Sequence, residues 1–378
     1  MTPRQRADAI IRFLVRQSDA LSRTGATEWV SAGALADAIG AGVDRTTIFR
    51  DFRRLVADGV VEPQGPTRSR IYRLKRGSLP YLEWELAQPP EARQKVPYDP
   101  GILSDYEPNR SEWLSKERKE RLASLAQPDF NADAAAYRRV MNSLLIDLSY
   151  ASSRLEDVQI SWLDTKSLVE LGVRPDGLSD QEYRIVMNHK DAIQFICDHR
   201  GVLDLSKRNL LDVHRLLTSG LLGDPSGEGR LRHGLVYFTE SAYRPIGIPA
   251  VLEEQVDIFC EKANRIRNPF ERALFTMAIV PYMQPFQDGN KRSSRLCMNI
   301  PLLRESLAPF SFSRVDRRAY VFGLIAFYER GRPEFLADVF FDTYVKSAPK
   351  YMELLELVNE GGIVSTIETE KSVKIQKE

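Results

Sequence analysis

The most constraining feature of the sequence is its most apolar stretch, Ala273–Met283, together with the polar turn that follows it. The stretch is far shorter than the ~20 residues that a membrane-spanning helix needs, so it predicts a helix buried inside a globular domain. After it come Pro285 and then Asp288, Gly289 and Asn290, which favour a tight turn. A new helix follows, so this region is expected to fold as a buried helix, a turn and a helix N-terminus.

The start of that new helix suits an anion. Backbone N–H groups at a helix N-terminus lack partners within the helix, and the helix dipole favours negative charge there. Arg292 and Arg295 lie on one face of the first turn, and guanidinium groups suit phosphate oxygens. Asp288 beside a phosphate is a natural Mg²⁺ ligand. The turn therefore predicts a phosphate and Mg²⁺ site; the alternative is a plain Gly-Asn turn whose arginines cap a neighbouring helix.

Helical periodicity dominates the chain from about residue 136. The first helix carries one apolar stripe, formed by Val140, Leu144, Leu148, Ala151 and Leu155. Further helices are predicted at about 181–199, 208–217, 251–266, 269–283, 291–306 and 317–345. Residues 230–249 contain a β-rich run and two prolines, which predicts a β-hairpin or flap. This helical domain is expected over 136–348, with a charged tail over 349–378.

The first 78 residues have a different pattern. Helices are predicted over 5–17, 31–40 and 45–57, followed by a hairpin made of Val60–Glu62 and Ser69–Leu74 around a Gly-Pro turn. This order resembles a winged helix-turn-helix domain. Residues 79–135 contain repeated prolines, so they predict an irregular linker. The expected fold class is therefore mainly α, with a winged helix-turn-helix domain, an all-helical core and a β-hairpin flap.

Charge is unevenly distributed between these regions. Residues 1–78 hold fourteen Lys and Arg against eight Asp and Glu, a net of +6, whereas the whole chain carries +1. A basic end indicates contact with a polyanion. The side chains predicted to contact double-stranded DNA avoid the apolar stripe of the third helix or lie on the wing: Arg45, Thr46, Thr47, Arg50, Arg53, Arg54, Arg68 and Arg70. The alternative is a winged helix that mediates protein pairing.

Residues 284–295 resemble the nucleotide-phosphate loop of the Fic (Fido) family. That family carries His-x-Phe-x-Asp/Glu-Gly-Asn-Gly-Arg-x-x-Arg, and this chain matches at Phe286, Asp288, Gly289, Asn290, Arg292 and Arg295. The resemblance implies that ATP is bound, with Phe286 packed inward and Mg²⁺ held by Asp288. It also implies that the Gly289–Lys291 backbone and the two arginines grip the phosphates, and that residues 232–249 align a target protein by β-augmentation.

Two positions depart from the family pattern. Gln284 stands where the family has the histidine that takes the proton from a target hydroxyl, and a carboxamide cannot accept a proton near pH 7. Loss of a general base typically costs ~10²–10⁴ in rate. The four histidines, His189, His199, His214 and His233, lie far away in sequence. Lys291 replaces the usual glycine, as in the Doc branch, which transfers phosphate rather than AMP.

A second element of the resemblance lies upstream. Many Fic proteins carry Ser/Thr-x-x-x-Glu-Gly/Asn before the core, and the glutamate blocks productive nucleotide placement by pairing with the last arginine of the loop. This chain departs from that motif at its last position, where it has Asp157. Here Ser152 and Glu156 have that spacing, which puts them on one face of a helix expected at about 136–160. The resemblance therefore implies an inhibitory pair between Glu156 and Arg295. A lone helical glutamate is otherwise usually a solvated charge.

Cysteine usage bears on the compartment. The chain has three cysteines, none of them in a CxxC pair, which favours a reduced cytoplasm and no disulfide framework. Arg12 and Arg16 interrupt the early apolar stretch, so no signal peptide is expected. No membrane contact is predicted.

Three functions fit these observations. The first is a DNA-binding transcriptional regulator, expected as a homodimer, whose Fic-like half binds a nucleotide or a partner with impaired catalysis. The second is a Fic adenylyltransferase or phosphotransferase that modifies a protein Ser, Thr or Tyr hydroxyl and is inhibited by Glu156. The third is an interaction scaffold in which the anion site is a relic. The basic N-terminal region and Gln284 favour the first, and the retained loop arginines argue against the third.

Overall fold

The computed structural model describes residues 1–24, 28–39, 44–126 and 134–359. The fold is mainly helical, as the periodicity predicts. The chain separates into two compact units, Met1–Gln94 and Lys95–Glu378. Within the described residues, no helix combines the length and the apolarity that crossing a bilayer requires. Residues 40–43 and the part of the predicted tail beyond residue 359 lie outside the described residues, whereas residues 349–359 of that tail are helical.

The first unit combines four helices with a small antiparallel sheet. Its elements are α1 (Pro3–Thr24), β1 (Val30–Ser31), α2 (Ala32–Ile39), α3 (Arg45–Ala57), β2 (Val61–Gln64), β3 (Ile71–Leu74) and α4 (Leu79–Leu86). The three helices and the hairpin come in the expected order, and β1 adds a strand that the pattern did not indicate. The sheet order is β1-β3-β2, with Val30 opposite Tyr72 and Val61 opposite Leu74.

The core of this unit lies between the sheet and the helices α1, α2 and α3. Phe52 stacks on Tyr72 with ring centroids 3.9 Å apart, and Ile48 and Leu55 are buried beside it. Apolar residues at this spacing place one stripe of α3 inward and leave the opposite face to solvent. Helix α4 packs against α1, so the compact unit continues past residue 78 to Gln94.

The second unit is a helical assembly with one short parallel strand pair. It contains β4 (Val96–Pro97), α5 (Gly101–Ser104), α6 (Lys116–Ala126), α7 (Ala134–Arg154), α8 (Trp162–Leu171), α9 (Asp180–Asp198), α10 (Lys207–Thr218), β5 (Tyr243–Arg244), α11 (Pro249–Arg265), α12 (Pro269–Met283), α13 (Asn290–Cys297), α14 (Ile300–Arg304), α15 (Arg317–Arg330) and α16 (Glu334–Asn359). The region expected as an irregular linker therefore contains α4, α5 and α6.

Helix α12 is the centre of this unit. Every residue of the apolar stretch Ala273–Met283 is buried, and α11, α13, α14 and α15 pack around it. Helix α7 packs on α8, α9 and α16. Two predicted helices are each split in two: 291–306 divides at Met298–Asn299, before Pro301, and 317–345 divides at Gly331, which has φ 61°. Glycine tolerates that backbone and ends the helix.

The segment 232–249 differs from the expected hairpin. Its strand, β5, pairs in parallel with β4, with Val96 opposite Tyr243. The rest of the segment has no regular secondary structure up to Pro249, where α11 begins. The helix predicted at about 136–160 is shorter than expected. It is α7, which ends at Arg154 because the chain reverses through Asp157, a residue with φ 64°.

Candidate functional site

The loop between α12 and α13 is shaped by two left-handed residues. Gln284 ends α12 with φ 50° and ψ 60°, and Gly289 precedes α13 with φ 78°. A Cβ atom on Gly289 would lie 2.9 Å from Cγ2 of Thr218, so only glycine fits there. These two turns bring the first residues of the loop and the N-terminus of α13 together, which is the arrangement that the sequence predicts.

Asn290 closes the loop on itself. Its Oδ1 accepts a hydrogen bond from the N–H of Phe286 at 2.8 Å, and its Nδ2 donates to the carbonyl of Phe286 at 2.9 Å. Phe286 is fully buried, as expected for the residue that packs the loop inward. A buried backbone pair satisfied by one amide side chain is costly to break, so the loop has a defined shape.

His214, on α10, packs against the same loop and forms a hydrogen bond with it. Its ring stacks on Phe286 with centroids 3.6 Å apart. The N–H of Gly229 donates to Nδ1 at 3.0 Å, so Nε2 carries the proton and donates to the carbonyl of Asp288 at 3.0 Å. Burial is the main cause that lowers the pKa of His214 to about 4. A neutral ring with both nitrogens bonded serves the loop as a support.

The two loop arginines are buried and contact a carboxylate from the turn after α7. Arg292 is 4% exposed and Arg295 is 1% exposed. Nη2 of Arg295 donates to Oε1 of Glu156 at 2.6 Å, and Nε of Arg292 lies 3.7 Å from Oε2. The pair between Glu156 and Arg295 that the resemblance implies is therefore present. Glu156 reaches it from the turn after α7 rather than from the helix itself.

This ion pair dominates the electrostatics of the site. Burial by itself would raise the pKa of Glu156, but the positive charges of Arg295 and Arg292 outweigh it and lower the pKa to about 2. The side chain is 25% exposed, so one edge of the carboxylate faces solvent. Glu156 is therefore ionised at neutral pH, and both of its oxygens face guanidinium groups that a phosphate would also attract.

A hydrogen-bond chain behind Arg295 holds its guanidinium. Nε of Arg295 donates to Oγ of Ser152 at 2.8 Å, and Oγ lies 2.8 Å from Nε2 of His189. Nδ1 of His189 lies 2.6 Å from the carbonyl of Ile185, so Nδ1 carries the proton and Ser152 donates to Nε2. Burial is the main cause that lowers the pKa of His189 to about 3. The serine contacts Arg295 as expected; the sequence did not indicate His189.

Asp288 faces solvent at the mouth of the loop. Its side chain is 62% exposed. Oδ1 accepts the N–H of Gly289 at 2.6 Å, and Oδ2 accepts Nη2 of Arg292 at 2.7 Å. Among the described residues, no group of three or more His, Cys, Asp or Glu is placed to hold a metal ion. One exposed carboxylate fits Mg²⁺, which keeps waters and takes its other ligands from substrate phosphates.

A cavity of about 250 Å³ opens beside the loop. It is bounded on one side by the loop and α13, and on the other by the extended segment. Its lining residues are Glu156, Val236, Tyr237, Phe238, Thr239, Glu240, Gln284, Gln287, Asp288, Gly289, Asn290 and Lys291. Glu156 and residues 284 and 287–291 of the loop therefore surround one cleft, with Lys291 half-buried at its wall. Phe286, Arg292 and Arg295 are not among the residues that line it.

Arg232 ties the segment 232–249 to the loop, and no pattern in the sequence indicates this role. Its Nε donates to the carbonyl of Gln284 at 2.6 Å. Nη1 donates to the carbonyl of Gly234 at 2.8 Å, and Nη2 donates to the carbonyl of Ile246 at 2.6 Å. One buried guanidinium thus holds both ends of the segment against the phosphate loop. His233, next to it, is exposed and does not line the cavity.

The candidate DNA-contact residues lie in the other unit. Five of them, all on α3, are exposed: Arg45, Thr46, Arg50, Arg53 and Arg54. Thr47 and Arg70 are half-buried, and the Arg68 side chain lies outside the described part of the chain. Nε of Arg54 lies 3.8 Å from Oδ2 of Asp58. The exposed face of α3 is therefore basic, with one arginine near a carboxylate.

Comparison with known proteins identifies the domain that carries the loop. Residues 204–302 match the profile of the Fic/DOC family, so this part of the chain is a Fic domain. The chain is 26% identical over 193 residues to protein adenylyltransferase fic-1 of Caenorhabditis elegans, and 26% identical over 189 residues to protein adenylyltransferase Fic of Drosophila grimshawi. Those alignments cover 50% and 49% of this chain but only 37% and 38% of the relatives.

Solved structures share the same fold. A variant of the Fic-1 fragment from C. elegans superposes with a TM-score of 0.53 at 22% identity, covering 63% of this chain and 72% of that one. The unsubstituted fragment gives a TM-score of 0.50 with the same identity, covering 63% and 71%. The expected helical Fic-like fold is thereby confirmed.

Proposed function

We propose that the Fic domain binds ATP at residues 288–295 and transfers its AMP group to a hydroxyl of a protein. We further propose that Glu156 restrains this reaction. The observation that carries the proposal is the 2.6 Å contact between Glu156 and Arg295 at the edge of the cavity. The adenylyltransferases to which the chain is similar support the choice of AMP transfer over simple nucleotide binding.

The phosphate groups of ATP would bind where α13 begins. The N-terminus of that helix provides backbone N–H groups and the positive end of its dipole. Arg292 and Arg295 supply two guanidinium groups held in place by the fold, so little conformational entropy is lost when phosphate binds. Asp288 would hold Mg²⁺, which neutralises phosphate charge when bound.

The chemistry forms one bond and breaks one. The hydroxyl oxygen of the target attacks the α-phosphorus of ATP, and the bond from that phosphorus to the bridging oxygen of the β-phosphate breaks, which releases pyrophosphate. Gln284 cannot accept the hydroxyl proton, so we assign the proton to a water in the cleft. Absence of a general base costs ~10²–10⁴ in rate, and positioning and charge stabilisation supply the remaining catalysis.

Residues 232–249 would align the target. The segment is held at both ends by Arg232, and its middle lines the cleft opposite the loop. An extended segment can pair with an incoming peptide through backbone hydrogen bonds. Such pairing would place a side-chain hydroxyl over the phosphate loop.

Glu156 restrains the reaction by occupying the arginines. Its carboxylate accepts a hydrogen bond from Nη2 of Arg295 and lies near Nε of Arg292. Phosphate oxygens would have to displace it, and its negative charge would repel them. The test is calorimetry with Mg²⁺ and ATP: Glu156→Gly should bind more tightly than the parent chain, and identical affinity would contradict the proposal.

Phosphate transfer from the γ position is the nearest competing reaction. Lys291 lines the cleft, and it matches the residue that the Doc branch has in the same place. A side chain at this position limits the backbone freedom that glycine would give. Comparing α-labelled and γ-labelled ATP separates the two reactions directly.

We also propose that the first unit binds double-stranded DNA, as a homodimer on paired half-sites. The exposed Arg45, Arg50 and Arg53 on one face of α3 support this proposal. A helix with such a face can enter the major groove while arginines contact phosphates. The net charge of +6 over residues 1–78 adds long-range attraction.

A further inference from the structure

Gln284 uses both ends of its side chain inside the loop. It is 8% exposed. Its Nε2 donates to the carbonyl of Pro281 at 2.8 Å, and its Oε1 accepts Nδ2 of Asn290 at 2.9 Å. The carboxamide therefore joins the last turn of α12 to the first residue of α13.

The orientation of these bonds is fixed by their neighbours. Oδ1 of Asn290 accepts the N–H of Phe286, a group that can only donate. Nδ2 of Asn290 must then face Gln284, which has to present an acceptor. The carbonyl of Pro281 can only accept, so Gln284 has to present a donor on its other side. Position 284 thus requires one donor and one acceptor at once.

The backbone of Gln284 explains why such bonds are needed there. Its φ of 50° lies in the left-handed region, which residues with a Cβ rarely adopt. The backbone carbonyl of Gln284 also accepts a hydrogen bond from Nε of Arg232. Conformations of this kind persist where the surrounding contacts fix them.

We propose that Gln284 is a positioning residue that locks the phosphate loop in its anion-binding shape. The lock rests on the nucleotide-binding part of the proposed function. The side chain holds Asn290, and Asn290 holds Phe286. Loss of either end of the carboxamide would therefore release the turn that aims the N-terminus of α13 at phosphate.

Two substitutions test the requirement for a donor and an acceptor in opposite ways. In Gln284→Glu, an ionised carboxylate has no donor for the carbonyl of Pro281, whereas the protonated carboxyl restores one. In Gln284→His, the neutral ring has one donor and one acceptor, whereas the protonated ring has two donors and cannot accept from Asn290. Nucleotide affinity should therefore fall as pH rises for the first variant and fall as pH drops for the second.

Other charged groups near position 284 are common to all variants. Those that share the cavity or touch the loop are Glu156, Glu240, Asp288, Lys291, Arg232, Arg292 and His214. Each variant is therefore made in the Glu156→Gly background, from which the restraining carboxylate is absent. It is compared with Glu156→Gly itself at every pH.

The experiment measures the affinity for Mg²⁺ and ATP by calorimetry from pH 5 to pH 8, with melting temperature recorded in parallel. We expect Gln284→Glu to bind about tenfold more weakly than Glu156→Gly at pH 8 and to recover in part at pH 5, because burial favours the protonated carboxyl. The reverse is expected for Gln284→His, and the size follows from an unsatisfied buried polar group. Gln255→Leu is the matched control, because Gln255 is also 8% exposed and bonds Tyr98 away from the cavity.

The outcomes separate the lock from the proposed function. Equal affinities, a pH-independent loss, or a loss that Gln255→Leu reproduces would overturn the lock while leaving nucleotide binding intact. If Glu156→Gly does not bind ATP, the proposed function fails. Opposite pH trends in the melting temperatures of the two variants would then still support the lock, and parallel trends would overturn it.

Discussion

The carboxylate of Glu156 accepts a 2.6 Å hydrogen bond from Arg295, a residue 139 positions further along the chain. Nε of Arg295 also donates to Oγ of Ser152, which lies on α7. The same Oγ contacts Nε2 of His189. One side of the arginine thus contacts a helix that precedes the Fic domain, and the other side belongs to the loop where phosphate is proposed to bind. Any phosphate that uses Arg295 fully must displace Glu156.

Removing Glu156 should strengthen nucleotide binding. In Glu156→Gly and Glu156→Gln, Arg295 and Arg292 no longer face a carboxylate, so affinity for Mg²⁺ and ATP should rise by about tenfold or more, equivalent to ~1.4 kcal/mol. Calorimetry measures the change. Asp157→Asn serves as the neighbouring control, because Asp157 pairs with Arg317 instead, and it should leave the affinity unchanged.

Removing Arg295 should abolish that gain. Arg295→Ala in the Glu156→Gly background deletes a guanidinium that is 1% exposed, so affinity for ATP should fall at least about tenfold because charge-assisted phosphate bonds are lost. Arg272→Ala is the control, because Arg272 is partly buried and bonds the carbonyl of Ile266 outside the cavity. Equal affinities for the two variants would refute the assigned phosphate site.

The ion pair between Glu156 and Arg295 should make the free energy of unfolding depend on pH. The folded pKa of Glu156 lies at about 2, below its usual 4.5, so the pair stabilises the fold above about pH 4.5 and the contribution is lost as pH falls toward 2. At ~1.4 kcal/mol per unit of pKa difference, the contribution is at most about 3 to 4 kcal/mol. Urea unfolding of the parent chain and Glu156→Gln across this range should converge at low pH; a constant gap would contradict the pair's contribution.

The two buried histidines should add a separate acid sensitivity. Burial lowers the pKa of His189 to about 3 and that of His214 to about 4, from a usual 6.5. The unfolded chain therefore binds protons that the folded chain excludes, so stability falls as pH drops below about 6.5. His189→Gln should reduce the slope of unfolding free energy between pH 6.5 and pH 5. An unchanged slope would show that His189 is protonated in the fold.

The basic face of α3 should determine DNA affinity. Arg50→Ala and Arg53→Ala should each weaken binding to a mixed-sequence duplex, and each lost phosphate contact should reduce the salt dependence by about 0.9 in log–log slope. Fluorescence anisotropy at several salt concentrations measures both. Arg110→Ala, an exposed arginine of the second unit, is the control. Equal losses in all three would indicate attraction by net charge alone.

The sequence predicts the part of the site whose residues are close together. Phe286, Asp288, Asn290 and the two arginines lie within one loop and the helix turn after it, so spacing alone brings them to one place. The contact with Glu156 required the family resemblance, because periodicity cannot relate two helices far apart in the chain. Even so, Glu156 lies in the turn after α7, since the reversal at Asp157 ends the helix early.

The residues that hold the loop in place could not be predicted either, because each of them contacts a position far away in the chain. His214 bonds a carbonyl 74 positions away, His189 bonds Ser152 across 37, and Arg232 bonds Gln284 across 52. No local pattern marks such contacts. The segment 230–249, predicted as a β-hairpin or flap, lacks the paired strands of a hairpin: Arg232 donates to the carbonyls of Gly234 and Ile246, and the strand at Tyr243 pairs with β4.

The most direct test of the central claim is label transfer by purified Glu156→Gly protein, with Mg²⁺ and α-labelled or γ-labelled ATP, to proteins in a cell lysate. The parent chain and the Glu156→Gly, Arg295→Ala double variant are the controls. We expect slow transfer of the α label by Glu156→Gly, less by the parent chain, and none by the double variant. Transfer of the γ label alone would indicate phosphate transfer instead. No transfer of either label would contradict an adenylyl transfer restrained by Glu156.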